Sequence, residues 1–307
     1  MNALAQRKDD LLSHLQTIGD WIRFSTSLFE EQELFFGHGT ETAWDEAVAL
    51  VLQTLNLSND VAPSIFQCNL TAYEKQMLFL HLIERVEKRR PLPYITNKAW
   101  FSDIEFYVDE RVLIPRSPIA EIIQNGFEPW IGGRPVSRIL DLCTGSGCIA
   151  IACAIAFPEA LVDGSDISPD ALEVAKRNVE HYGLDSQVTL IESDGLEQVS
   201  DRYDIIVSNP PYVDAEDMSK LPDEFKHEPE LALASGHDGL DFVSNVLKSV
   251  DEHLNDNGIL IVEVGNSYEA LCDKYPQVPF LWLTFENGGH GVFLLTKEQI
   301  KQFKSFF

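Results

Sequence analysis

The chain lacks any apolar stretch of the roughly 18 residues that a membrane-crossing helix needs, so no helical span is expected. Residues 1–10 have no apolar signal core, and secretion is not expected either. Basic residues are scarce: 23 Lys and Arg stand against 49 Asp and Glu, a formal net charge of −26. Nucleic-acid binding gains from counterions released around basic side chains, so a chain this acidic should not grip phosphate backbones unaided. It is drawn instead to basic partners, unless the acidity serves solubility alone. No internal repeat or low-complexity tract occurs. The five cysteines, an odd number, suit reduced thiols in a cytoplasmic protein. Cys143, Cys148 and Cys153 run from a strand end into a helix with no histidine cluster nearby, which does not suit a zinc site. Isolated histidines such as His38, His81 and His253 read as packing or surface residues.

What is present suggests two domains in 307 residues. Leu11, Leu12, Leu15, Ile18 and Ile22 recur at helical spacing, and Trp44, Ala47, Val48, Val51, Leu52 and Leu55 repeat the pattern. Thr71 followed by Glu74 resembles a capping box that opens a third helix. That helix runs into Lys88-Arg89-Arg90, cations suited to a helix C-terminus, before Pro91 and Pro93. A helical domain is therefore expected over residues 1–92. A linker over 93–118 should carry a hairpin pairing 104–108 with 111–114 around Asp109-Glu110. From 119 to 307, strand patterns at 138–143, 161–167, 188–192, 203–208 and 259–264 alternate with helical stretches, which implies an α/β domain with a mostly parallel sheet. Ser168 and Pro169 mark the start of one such helix. Two last strands, 280–285 and 292–296, have no helix between them and should be antiparallel.

Two motifs carry the chemistry. Asp141-Leu142-Cys143-Thr144-Gly145-Ser146-Gly147 lies where the first strand turns into a helix, the end of an open sheet at which ligands bind. Gly145 and Gly147 allow close approach of backbone to ligand. Asp166, with Ile167 beside it, ends the second strand 19 residues past Gly147, where a carboxylate can accept both hydroxyls of a ribose. Asp194, at the end of the third strand, can bond the base of an adenosine. A dinucleotide would ask for G-x-G-x-x-G, and this chain has alanine at the third position, a tolerated departure that excludes little alone.

The second motif, Asn209-Pro210-Pro211-Tyr212, follows the apolar strand 203–208. No hydride transfer requires it. The Asn209 side-chain oxygen and the Pro210 carbonyl can hold both N–H bonds of a planar –NH2 group, because proline brings no competing N–H. Tyr212 can stack on that plane. An amide nitrogen so held aims its lone pair at an electrophile, and the gain is mainly orientation. A carboxylate would bring lone pairs against lone pairs, so glutamine is taken over glutamate. The exocyclic amines of adenine and guanine fit the same motif.

Together these motifs resemble the HemK-type protein-(glutamine-N5) methyltransferases, over nearly the whole chain. The segment Arg111-Val112-Leu113-Ile114-Pro115-Arg116-Ser117-Pro118 is similar to the stretch before that family's catalytic domain. Val213-Asp214-Ala215-Glu216-Asp217-Met218, His227-Glu228-Pro229-Glu230 and Phe36-Gly37-His38-Gly39-Thr40 are similar to its ribosomal branch. The release-factor branch has Gly-Thr-Gly-Thr-Gly where this chain has Cys143-Thr144-Gly145-Ser146-Gly147. The resemblance implies a Rossmann-like seven-stranded domain that uses S-adenosylmethionine, with a helical N-terminal domain for substrate recognition. It implies a donor site of Asp141, Cys143, Thr144, Gly145, Ser146, Gly147, Asp166, Ile167, Asp194 and Asn209, and an acceptor site of Asn209, Pro210, Pro211 and Tyr212. The implied substrate is the third protein of the large ribosomal subunit, free or in an assembly intermediate. A release factor, or less readily a nucleic-acid amine, remains an alternative, and so does a ribosome-assembly binding protein without catalysis. The family often packs a bulky residue on adenine after the third-strand aspartate. Gly195 stands there, so that contact is either lost or supplied by Leu196. Residues 214–230 hold seven acids against Lys220 and Lys226, a loop that could attract a basic protein.

Overall fold

The computed structural model describes residues 3–58 and 60–307. The chain divides into two compact units: one runs through Lys98 and includes Pro222–His227, the other comprises Ala99–Leu221 and Glu228–Phe307. Among the described residues no helix is long and apolar enough to cross a membrane.

The first unit is helical. The spacing of Leu11 to Ile22 predicts one helix, but two form, Lys8–His14 and Ile18–Glu31. Thr17 breaks the run because its hydroxyl accepts the Asp20 N–H at 3.1 Å, and the Asp20 carboxylate accepts the Thr17 N–H at 2.8 Å. That reciprocal box starts a new helix. The box expected at Thr71 and Glu74 opens the helix Ala72–Glu87 in the same way. Arg89 does not cap that helix. Its backbone turns away at φ +56, and its guanidinium donates to the carbonyls of Gln32 at 2.6 Å and Glu33 at 3.1 Å, beyond the end of Ile18–Glu31. In the core of this unit the buried Arg85 guanidinium lies between the carboxylates of Glu46 and Glu224. Glu224 also accepts the Phe35 N–H at 3.1 Å, so its buried charge is compensated from several sides.

The second unit opens with a hairpin of β1 (Ala99–Phe101) and β2 (Ile104–Phe106), turning at Ser102 and Asp103 with φ +52 and +62. Positive φ at two successive residues is the turn that matches the twist of paired strands. The hairpin expected around Asp109-Glu110 does not form. The Asp109 carboxylate is taken by the Arg111 guanidinium at 2.7 and 2.9 Å and by its backbone N–H at 3.1 Å, which closes a local loop instead.

The sheet follows: β3 (Arg138–Leu142), β4 (Leu161–Asp166), β5 (Val188–Glu192), β6 (Tyr203–Ser208), β7 (Leu254–Glu263), β8 (Leu281–Trp282) and β9 (Val292–Thr296). Its order is β5-β4-β3-β6-β7-β9-β8. The pairs from β5 to β7 are parallel, and β9 runs antiparallel to both β7 and β8. Alternate residues of a strand face opposite sides. Accordingly Ile139, Ile205 and Ile261 enter one core with the helix Cys148–Ala156, while Leu140, Ile206 and Leu260 enter the other with the helix Asp241–His253. The strand order reverses at β3, which has β4 on one side and β6 on the other. That is the switch point at which a cleft opens beyond the strand ends. Leu142 pairs with Ser208 there, so the two sequence motifs emerge side by side.

Candidate active site

The glycine turn is built from its buried side. Asp141 is fully buried, and its Oδ2 accepts the Thr144 hydroxyl at 2.6 Å and the Ala150 N–H at 3.0 Å. It thereby ties the turn to the first turn of Cys148–Ala156. Burial, with the charge of Asp166 nearby, pushes its pKa up to about 7. The Thr144 N–H donates to the Ser165 carbonyl at 2.9 Å, which carries the pairing with β4 one residue past the strand. The Asp166 carboxylate accepts the Gly145 N–H at 2.9 Å on one oxygen and the Ser168 N–H at 2.9 Å on the other. Burial holds that carboxyl above its usual range despite both bonds. The carboxylate keeps further acceptor capacity for a ligand hydroxyl.

The two glycines do different work. At Gly145, φ +54, a Cβ would meet no atom within 4 Å and would point into free space. At Gly147, φ +79, a Cβ would lie 3.2 Å from that of Ala175, so this glycine lets two helices approach.

Cys143, Thr144, Gly145, Ser146, Asp166, Ile167, Asp194 and Asn209 line one cleft within this unit. Asp141 and Gly147 do not line it and act from behind. Three contributors were not read from the sequence. Asn178, buried on the helix Pro169–His181, donates to the Ser146 carbonyl at 2.8 Å and the Tyr107 carbonyl at 3.0 Å. Its only signal is a polar residue within the stripe Val174, Ala175, Val179. The second is Phe242, which lines the cleft beside Gly195, where a Cβ would be 3.8 Å from its ring. Leu196, the expected substitute, is buried in the core instead. The third is Glu263.

On the acceptor side, the Ser208 hydroxyl donates to the Leu142 carbonyl at 2.7 Å and locks the two strand ends together. Asn209 and Pro211 line the cleft, while Pro210 is buried. The Asn209 Oδ1 is buried and has no hydrogen-bond partner. A buried acceptor left unmade is costly, so this atom is suited to an arriving N–H. Tyr212 does not line the cleft. Its hydroxyl donates to Glu263 Oε1 at 2.8 Å, and its carbonyl accepts the Ser267 hydroxyl at 2.8 Å. Burial and the adjacent Glu263 charge raise its pKa well above the phenol range.

Segments singled out separately in the sequence meet here. Glu228 accepts the Ile114 N–H at 3.0 Å and both Arg116 guanidinium nitrogens at 2.6 and 2.8 Å. The 214–230 loop is less of an acidic lure than its composition implies. Glu216 pairs with Lys220 at 2.5 Å, Asp223 with Lys226 at 2.6 Å, and Glu224 and Glu228 are buried against arginines.

A glycine turn and an acceptor motif flanking the switch point of a doubly wound sheet define a methyltransferase, and residues 133–257 match the family model of the methyltransferase small domain. Two relatives named ribosomal protein uL3 glutamine methyltransferase align with almost the entire chain. That of Francisella tularensis subsp. tularensis (strain SCHU S4 / Schu 4) is 46% identical, over 98% of this chain and 97% of its own. That of Neisseria gonorrhoeae (strain ATCC 700825 / FA 1090) is 48% identical, over 93% and 96%. The chain belongs to this family of glutamine methyltransferases. Among solved structures, the hMettl16 catalytic domain in complex with MAT2A 3′UTR hairpin 6 superposes with a TM-score of 0.50 at 17% identity, covering 73% of this chain and 80% of that one. This likeness concerns the Rossmann-like fold.

Proposed function

We propose that the chain transfers a methyl group from S-adenosylmethionine to the side-chain amide nitrogen of a glutamine in ribosomal protein uL3. The observation that carries the chemistry is the buried, unpartnered Asn209 Oδ1 at the mouth of the acceptor motif, beside the glycine turn. The substrate follows from the relatives, which are related along nearly their full length.

The donor supplies a methyl on a positively charged sulfur, which departs as a neutral thioether. Cys143 to Ser146 would line the donor's pocket, and Asp166 would accept the ribose hydroxyls. Asp194 accepts from the adenine amine. Asn209 Oδ1 and the Pro210 carbonyl accept the two amide N–H bonds, which holds the nitrogen lone pair in line with the methyl. The N–C bond forms as the S–C bond breaks, and the nitrogen, acidic once methylated, gives up one proton to water. No strong base is required. All of these residues lie in the methyltransferase unit, which leaves the helical unit, 1–92 in the sequence reading, to recognise the protein substrate. A ribosomal protein as substrate supports a cytoplasmic site of action.

The test incubates the enzyme with methyl-labelled S-adenosylmethionine, purified uL3 and ribosomal RNA. Label on a glutamine of uL3, mapped by mass spectrometry, is the expected result. Asn209→Ala should lower kcat about 100-fold or more and leave donor Kd within about twofold. Label in RNA, or in a release factor in preference to uL3, overturns the substrate assignment.

A further inference from the structure

Glu263 is the last residue of β7, after the apolar run Ile259-Leu260-Ile261-Val262, and only 5% of it is exposed. A carboxylate in such a place is costly unless donors surround it. It has two. The Ser117 hydroxyl donates to Oε2 at 2.5 Å, and the Tyr212 hydroxyl donates to Oε1 at 2.8 Å. The Ser117 oxygen itself accepts the Ile119 N–H at 3.2 Å, so its proton goes to Glu263. The phenol has one proton, and it too points at the carboxylate. An apolar residue would complete the strand more cheaply, and the charge therefore has a purpose other than packing.

Of the two residues it holds, Tyr212 belongs to the acceptor motif. Its surroundings are cut to fit it: a Cβ on Gly265 would come within 2.5 Å of the ring, and one on Gly239 within 2.3 Å of its carbonyl oxygen. Phenol, ring and carbonyl are thus held by the end of β7 and the turn Gly265–Ser267 that follows it, with Gly239 close against the carbonyl. Between Tyr212 and Asn209 stand two prolines, whose locked φ angles make the link stiff. A shift of Tyr212 is passed back to Asn209 rather than absorbed. The Asn209 acceptor oxygen has no bond of its own to the protein that would restore it.

We infer that Glu263 is a positioning residue for methyl transfer, which sets the Asn209–Pro210 acceptor pair through the Tyr212 hydroxyl. The inference rests on the acceptor role proposed above. Its test is a cycle of Tyr212→Phe, Glu263→Leu and the double variant, each measured for kcat, KM of the protein substrate, donor Kd and melting temperature. Each single variant should lose about tenfold in kcat with donor Kd unchanged, and the double should lose no more than the worse single. Glu263→Gln, which keeps one acceptor oxygen, should recover part of that loss. Losses that multiply in the double variant overturn the inference. So does a wild-type kcat in Tyr212→Phe, which keeps the ring and remains decisive even if Glu263→Leu fails to fold. An active wild type with an inactive Asn209→Ala and an unimpaired Tyr212→Phe would sink this inference alone. A wild type that transfers no methyl to glutamine would sink the acceptor reading and this one with it.

Discussion

The donor site proposed above needs an apolar face for adenine beside the end of β5, and two residues compete to provide it. Sequence position favours Leu196, because it directly follows Gly195. Structure favours Phe242, which arrives from the helix Asp241–His253 and lines the cleft, whereas Leu196 is 8% exposed and packs in the core. Stacking of a base on an aromatic side chain contributes about 1–3 kcal/mol. Phe242→Ala should therefore weaken donor binding about tenfold or more, together with some loss of stability because the ring is partly buried against the core. Leu196→Ala should lower stability and leave donor affinity unchanged, because it opens a core cavity worth roughly 2–5 kcal/mol and does not line the cleft. Calorimetric titration of the donor beside thermal melts of both variants separates them, and loss of donor affinity in Leu196→Ala alone would reverse the assignment.

At the scale of the element, the turn from β3 into Cys148–Ala156 divides its work between two glycines. Gly145→Ala places a methyl in open space on the cleft side, so donor affinity should fall at a stability cost of about 1 kcal/mol from positive φ. Gly147→Ala adds to the same strain a contact 3.2 Å from Ala175, so it should lower stability by roughly 1–3 kcal/mol and affect donor affinity less. Equal effects of both variants on both readouts would remove the distinction. The elements best read from sequence were those with the simplest environments. Strands β3 and β6 are buried on both faces and appear as short apolar runs, and the capping box at Thr71 and the N-cap at Ser168 are local hydrogen bonds between neighbours. The hairpin was misplaced because Ser102-Asp103 and Asp109-Glu110 offer similar turn chemistry, and an ion pair to Arg111 decided between them. The site divides in the same way. The two motifs are contiguous and legible, but Asn178 reaches Ser146 across 32 residues and Glu263 reaches Tyr212 across 51. No local pattern announces such partners; packing of helix and sheet brings them together.

For the molecule as a whole, buried carboxylates and net charge act in the same direction on the pH dependence of stability. Asp141 titrates at 3.8 when unfolded and at about 7 in the fold, so between those values the folded chain holds more protons than the unfolded one. Stability then falls as pH rises through that window. Burial raises Asp166 and Glu263 in the same sense. A formal charge of −26 adds self-repulsion that protonation relieves. The capping carboxylates Asp20 and Glu74 oppose this: backbone N–H bonds lower their pKa, and their contribution is lost only as pH drops below the ordinary carboxylate range. The melting temperature should therefore peak at a weakly acid pH, about 5–6, and decline toward about pH 8. Asp141→Asn, which keeps an acceptor for Thr144 and Ala150 but cannot ionise, isolates the contribution of Asp141. At about 1.4 kcal/mol per pKa unit, the variant should gain up to roughly 4 kcal/mol over the wild type near pH 8. That advantage should shrink steadily as pH falls and vanish below about pH 3, where Asp141 is protonated in both states. Melting curves for the two proteins that stay parallel across this range would show that Asp141 does not titrate between folded and unfolded chains, and that the turn holds its charge by some other means.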